Sequence, residues 1–359
     1  MPVTAATPLG LPPVPIPADN PQTPAKIALG DKLFNDVRFS ADGKVSCATC
    51  HDPAKAFTDN LPFSKGFKDL TGTRNAPTVI NAAYMTTQFW DGREPDLEGQ
   101  SKQPPINPVE GGLADHQPIL DILRKDPDYV KAFREVFQVA PAAITIEHYA
   151  KAVASFERTQ IAGDSPFDKY FYGGDEKAMS EAAIRGFQVF TGQGRCVSCH
   201  VVEQTQALFT DNRFHNIGVG FKRIRGEESV VAIKFLAAKR GGADVDVTVL
   251  TDPDASELGR FAVTEDLTAI GTFKTPTLRN VDLTAPYMHD GSVKTLADVV
   301  DFYNNGGREQ ESDPLSGFLS GGIRPLNLTD QQKADLVAFM KALTSPGIAG
   351  TPSSALTRN

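Results

Sequence analysis

Amphipathic runs behind capping residues come in matched pairs along this chain. Thr23 caps and Pro24 opens a predicted helix carrying Ile27, Leu33 and Phe34 on its apolar stripe. Ser180 opens a second, with Ile184, Phe187 and Phe190; Gly30-Asp-Lys-Leu-Phe34 of the first resembles Gly186-Phe-Gln-Val-Phe190 of the second. Two further helices close the two halves. Thr145 starts one with Ile146, Tyr149, Ala150, Val153 and Phe156 on a single face. Thr329 and Gln332 form a capping box ahead of Leu336, Val337, Met340 and Leu343, with Pro346 as the stop. A fifth helix follows Thr295, sets Leu296, Val299, Val300 and Tyr303 on its buried stripe and ends at Gly306-Gly307.

The pairing continues outside the helices. Ala76-Pro-Thr-Val-Ile-Asn81 matches Thr275-Pro-Thr-Leu-Arg-Asn280, and Phe89-Trp-Asp-Gly92 matches Met288-His-Asp-Gly291. Pro77 precedes Asp91 by 14 residues, as Pro276 precedes Asp290. The pattern predicts a duplicated, mainly α chain. Its parts are an extended, proline-rich arm over 1–22, a first domain over 23–166, a second over 167–346 and a tail over 347–359 expected to fray. The Gly- and aromatic-rich stretch 165–175 reads as the junction. Residues 221–259 are charged, lack a clear helical period and read as a surface excursion of the second domain.

Each half carries one Cys-x-x-Cys-His run, Cys47-Ala-Thr-Cys50-His51 and Cys196-Val-Ser-Cys199-His200. This spacing lets two thiols add across the vinyl groups of one haem while the next imidazole faces the iron. A lone Cys-x-x-Cys also suits a redox disulfide or half a zinc site. Here the two runs use all 4 cysteines and both carry the histidine, so two covalently bound c-type haems are expected. A length of 359 residues fits one haem domain per half, and a net charge of -8 argues against nucleic acid and for a small basic redox partner. No apolar run reaches the roughly 18 residues of a membrane span, and the proline-rich start shows no secretory signal. Haem joins this motif outside the cytoplasm, so the periplasm is the expected location, with a signal removed or lying upstream.

The repeat also compares the two irons' sixth positions. Tyr303 lies 13 residues beyond Asp290, and the residue 13 beyond Asp91 is Pro104, which has no atom to give to iron. A phenol does ligate haem iron, as in catalases, but Met288 competes for the second iron, because thioether is a common ligand in electron-transfer haems. The spacing leaves both open. An open first haem needs an acid/base group to cleave peroxide. Glu110, in a Pro/Gly-rich loop flanked by apolar residues, is the candidate, with Gln100 positioning peroxide or water. Trp90, the single tryptophan, occupies the position matched by His289 and is a candidate relay between the halves. His116, His148 and His215 lack ligand spacing and read as structural.

These runs, with Gln88-Phe-Trp-Asp-Gly-Arg93, Asn107-Pro-Val-Glu110, Phe214-His-Asn-Ile-Gly218 and Pro286-Tyr-Met-His-Asp-Gly291, resemble the bacterial di-haem cytochrome c peroxidase/MauG family over nearly the whole chain. The resemblance implies two cytochrome c-like domains packed face to face, with Glu110 as distal acid/base, Gln100 as distal glutamine and Trp90 between the haems. It implies one calcium ion held by Asn75 and the backbone carbonyls of Thr284 and Pro286. Tyr303 at the position where better-known peroxidases carry a methionine is the MauG pattern, which favours Tyr303 over Met288. The absence of histidine between Asp52 and Arg74 implies a first haem open without prior reduction. Gly192-Gln-Gly-Arg195 departs from MauG, which has a tryptophan just before its second haem motif.

The expected function is a periplasmic di-haem peroxidase that reduces hydrogen peroxide at the His51 haem and reaches a high-valent di-haem state shared through Trp90. The electron donor would be a cytochrome c or cupredoxin. Two alternatives stand beside it: a MauG-like enzyme oxidising a residue such as tryptophan in a partner protein, and a non-enzymatic di-haem electron carrier.

Overall fold

In the computed structural model, which describes residues 7–308 and 317–350, the five predicted helices form behind their capping residues. They span Pro24–Phe34, Ile146–Glu157, Glu181–Thr191, Leu296–Asn304 and Asp330–Lys341. Thr23 and Ser180 accept from the amides of Lys26 and Ala183, both at 3.2 Å. The first two of these helices cross at Gly30, where a Cβ would run into the Ala152 carbonyl. Glu181–Thr191 crosses Asp330–Lys341 at Gly186, where a Cβ would run into the Asp335 carbonyl. The same glycine of the repeat thus permits the same close crossing twice.

Each crossing organises a separate core. Leu33, Phe34, Tyr129, Phe133 and Tyr149 fill the first; Phe167, Phe190, Phe209, Leu336 and Phe339 fill the second. The loops repeat as closely as the helices. Asn81 and Asn280 both take left-handed backbone (φ 64° and 60°), as do Phe89 and Met288 (φ 64° and 74°). The only two-stranded sheet among the described residues pairs Phe214–His215 antiparallel with Phe273–Lys274. No helix among them is long and apolar enough to cross a membrane.

Several expectations need correction. The 221–259 stretch contains helices at Glu228–Arg240 and Val245–Thr251, with a third core of Phe235, Val249, Leu258 and Phe261. Its period was hidden because Glu228–Arg240 is apolar on both faces: Phe235 is buried while Ile233 is 66% exposed. Stretch 165–175, expected as the junction, forms the Pro166–Phe171 helix and buries Phe167 in the second core. The last helix stops at Lys341, ahead of Pro346, and the Ser345 amide then donates to Asn280 Oδ1 at 2.8 Å. Residues 347–350 are packed rather than frayed: the Ala349 carbonyl accepts from the Ala56 amide at 2.8 Å and Ile348 lies against Leu283. Residues 351–359 of the tail and 1–6 of the arm lie outside the described residues.

The arm ties the halves together. Arg279, 2% exposed, pairs with Asp168 through both terminal nitrogens (2.8 and 2.9 Å) and also donates to the Gly10 carbonyl at 2.7 Å. Farther along, the Tyr84 hydroxyl donates to the Pro12 carbonyl at 2.9 Å. Losing one member of a buried pair strands the other charge. Asp168→Ala is therefore expected to lower stability by about 3–5 kcal/mol in denaturant unfolding. Gly186→Ala is expected to cost about 1–3 kcal/mol by overpacking the crossing, although alanine is the better helix former; a neutral Gly186→Ala would contradict the close approach.

Candidate di-haem site

Each Cys-x-x-Cys-His run sits on a single tight turn. Cys47–Cys50 is one helical turn capped by Ser46 and Thr49, which brings its two thiols to one side; Cys196–Ser198 is a 3₁₀ turn entered through left-handed Arg195 (φ 53°). All four thiols are free, and burial pushes those of Cys47, Cys50 and Cys196 up to about 12. His51 Nδ1 lies 3.2 Å from the Phe57 carbonyl and His200 Nδ1 lies 2.8 Å from the Phe209 carbonyl. Each contact assigns the ring proton to Nδ1 and leaves Nε2 free for a metal. The loops supplying those carbonyls are pinned in parallel: Thr78 Oγ1 donates to the Ala56 carbonyl (2.6 Å) and Thr277 Oγ1 to that of Leu208 (2.8 Å).

Two cavities open over these histidines. Cys47, Cys50, His51, Gln100, Pro104 and Glu110 line the first. Cys196, Cys199, His200, Met288 and Tyr303 line the second. Two thiols and a neutral imidazole on the wall of each cavity fit one c-type haem per half. Trp90 and Asn75 belong to the walls of both cavities, and Trp90 Nε1 donates to the Asn75 carbonyl at 2.9 Å. Pro104 and Tyr303, matched by count in the sequence, each face their own half's cavity. The helix is continuous before Tyr303 but broken before Pro104 into Leu97–Gln100 and Gln103–Ile106.

Electrostatics separate the two cavities. Glu110 is half-buried on the cavity wall; its Oε2 has no solvent contact and no hydrogen-bond partner among the described residues. Burial, and next the Asp246 carboxylate, raise it to about 8. Asp246 itself accepts from Arg93 Nε (2.7 Å) and Asn107 Nδ2 (2.6 Å), so it anchors the start of the loop that carries Glu110 to the Arg93 segment. Arg93 and Arg74 in turn clasp the fully buried Asp91 (3.0 and 2.6 Å). In the second cavity burial, together with the nearby thiols of Cys196 and Cys199, holds the Tyr303 phenol well above its ordinary value. Met288 also lines that cavity, so the structure brings both sequence candidates to one place.

Sequence reasoning missed Leu250, which the 221–259 stretch delivers to the wall of the first cavity from the second half, and Asp246, which the same stretch sets behind it against Arg93 and Asn107. It also missed Glu157, a buried carboxyl on the first cavity raised to about 8 by burial. The signal for Glu157 was its place at the end of an amphipathic helix, on the apolar side. The remaining histidines serve the fold: His116 meets the Lys102 carbonyl, His148 caps Thr145 and His215 pairs with Asp211 at 2.7 Å. His215 and Asp211 also stand within 4.8 Å of Cys199 in metal-ligand fashion, but that thiol is one of the two required for haem attachment.

Two cavities, each with its Cys-x-x-Cys-His and joined by one tryptophan, define a di-haem c-type protein. A family model described as di-haem cytochrome c peroxidase matches residues 24–177. The chain is 38% identical over 354 residues to the cytochrome-c peroxidase IdrP1 of Denitromonas iodatirespirans, covering 96% of this chain and 89% of that protein. It is 35% identical over 338 residues to the methylamine utilization protein MauG of Methylorubrum extorquens, covering 94% and 83%. Its fold superposes on a solved MauG-like protein associated with microbial copper homeostasis with TM-score 0.78, 33% identity and 98% of both chains covered. The chain belongs to the di-haem cytochrome c peroxidase/MauG family, oxidoreductases that act on peroxide through two haems.

Removing Asp246 leaves Arg93 short of a partner and frees Asn107. Asp246→Ala is expected to destabilise the protein by about 3–5 kcal/mol and to move the Glu110 titration down toward ordinary carboxylates, read by infrared difference spectroscopy with Glu110→Gln as the blank. An unmoved carboxyl band would mean that burial alone sets Glu110.

Proposed function

We propose that the chain is a periplasmic peroxidase that reduces hydrogen peroxide in the cavity of Cys47, Cys50 and His51. The observation carrying this reading is Glu110: a protonated, enclosed carboxyl with an unpaired oxygen on the wall of that cavity. Cys47, Cys50 and His51 would hold a haem, which would supply the electrons for breaking the O–O bond. Glu110 gives its proton to the departing oxygen, which leaves as water, and recovers one from the oxygen that stays. A carboxyl that titrates near 8 suits both transfers, because near neutrality it is mostly in the acid form that donates while its base form lies only about 1.4 kcal/mol away. Gln100 orients the peroxide, while Leu250 and Val109 keep the wall apolar. Pro104 keeps the cavity open by offering no donor.

At the second cavity His200 and Tyr303 would be the residues that hold the iron of a bound haem. An anionic phenolate favours oxidised iron over ready acceptance of electrons. Trp90, in the shared wall, connects the two cavities. A calcium ion between the halves fits the oxygen atoms available. Asn75 Nδ2 donates to the Leu61 carbonyl (2.8 Å), which leaves Oδ1 as the free oxygen. Asn60 Nδ2 takes the Leu283 and Ala285 carbonyls (3.3 and 2.9 Å), while those of Thr284 and Pro286 accept no hydrogen bond among the described residues. Neutral oxygens of this kind suit a hard cation. A net charge of -8 suits a basic cytochrome c or cupredoxin as electron donor. Gly192-Gln-Gly-Arg195 ahead of Cys196 offers no tryptophan for oxidising a partner protein, which favours the peroxidase over the protein-modifying reading.

Glu110→Gln in the haem-loaded protein is expected to slow the stopped-flow reaction with peroxide by about 10²- to 10⁴-fold; an unchanged rate removes Glu110 from the mechanism. The parent rate should fall as pH rises through about 8, because the acid form that donates is populated below that value and lost above it. Tyr303→Phe should replace the low-spin spectrum of the second haem. If that spectrum is unaltered, the ligand is Met288.

A further inference from the structure

The walls of the second cavity hold cations and no carboxylate. Arg195, Lys274 and Arg324 line it, and among the described residues neither Asp nor Glu does. Arg195 adjoins Cys196 and donates to the Arg324 carbonyl at 3.4 Å, so it stands at the edge where the thiols are. Lys274 is different. It lines the cavity and is only partly exposed, and burial lowers its ammonium to about 8 with no carboxylate acting on it. A lysine enclosed in this way without an anion is costly unless the cavity's occupant brings one.

The backbone fixes where this cation starts. The Lys274 amide donates to the Trp90 carbonyl at 2.8 Å. Its neighbour Phe273 stacks on His289 with ring centroids 3.7 Å apart, and His289 meets the Glu257 carboxylate at 3.0 Å. Lys274 therefore rises from the strand nearest Trp90, on the side of the cavity that faces the other half. A haem joined through its vinyl groups to Cys196 and Cys199 carries two carboxylates, its propionates, on a different edge of the ring. We propose that Lys274 is the counter-charge for a propionate of the haem bound at Cys196, Cys199 and His200. The proposal rests on that cavity holding a haem. A fixed cation beside the ring disfavours the oxidised, more positive iron, so Lys274 opposes the effect of a phenolate ligand and brings the second haem's potential up.

The test uses the haem-loaded full chain, with haems first counted by the pyridine haemochrome spectrum. One haem per parent chain, with none at Cys196 and Cys199, overturns the underlying reading and the proposal with it. With two haems present, Lys274→Met is expected to lower the midpoint potential of the low-spin haem in a spectroelectrochemical titration. It should also shift a propionate bending band in the resonance Raman spectrum. Lys274→Arg, which keeps the charge, is expected to leave both near the parent's. A Met variant with the parent's potential and propionate bands overturns the proposal, as does an Arg variant that moves both as far as Met does. If the Met variant does not accumulate, Lys274→Gln carries the same expectations.

Discussion

A carboxyl enclosed with one oxygen unpaired is the constraint on which the first cavity depends. Left to itself, such a group turns toward water or finds a donor, because an unmet acceptor away from solvent costs roughly 1–3 kcal/mol. Glu110 does neither, because its loop is clamped. Asp246 holds Asn107 and Arg93, and the Glu110 carbonyl accepts from the Phe67 amide at 2.6 Å. The clamp comes from the Val245–Thr251 helix, supplied by the second half of the chain. Glu110, the proposed acid/base group of the first cavity, is thus set by an element inserted into the sequence of the other half, and the first cavity is complete only when both halves are folded against each other.

Duplication explains how much else is shared. Both halves use a tight glycine crossing, a left-handed asparagine, a threonine hydroxyl on the loop carbonyl and a carbonyl on the histidine Nδ1. On this common frame the walls have diverged. The first cavity carries Asp36, Glu110 and Glu157 with Arg74 and Arg93; the second carries cations, a phenol and a thioether. Proline at 104 interrupts a helix that runs unbroken to Tyr303 in the other half. The chemistry of the two cavities differs because side chains changed on a backbone that did not.

The sequence made the repeated parts legible. Capping residues located the starts of the five helices to the residue, because a helix N-terminus must satisfy its amides locally, while the last helix ends several residues short of the expected stop. The counted match of Pro104 with Tyr303 led to two positions that face their own cavities. What stayed hidden was the part present in one half only. Residues 221–259 bury apolar side chains on more than one face, so no single period emerges, and nothing local to Asp246 indicates that its partners are Arg93 and Asn107. Lys274 was passed over for the same reason: a lysine next to Thr275-Pro276 looks like a surface residue until the cavity around it is seen. The packing of residues 347–350 on Ala56 and Leu283 likewise depends on contacts far away in sequence.

The central claim is that two like-built iron sites differ in whether the protein fills the sixth position. Electron paramagnetic resonance of the resting ferric protein tests it most directly. The account predicts one high-spin signal from a five-coordinate haem at His51 and one low-spin signal from a six-coordinate haem at His200. Two low-spin signals, with both irons capped by protein atoms, would contradict it.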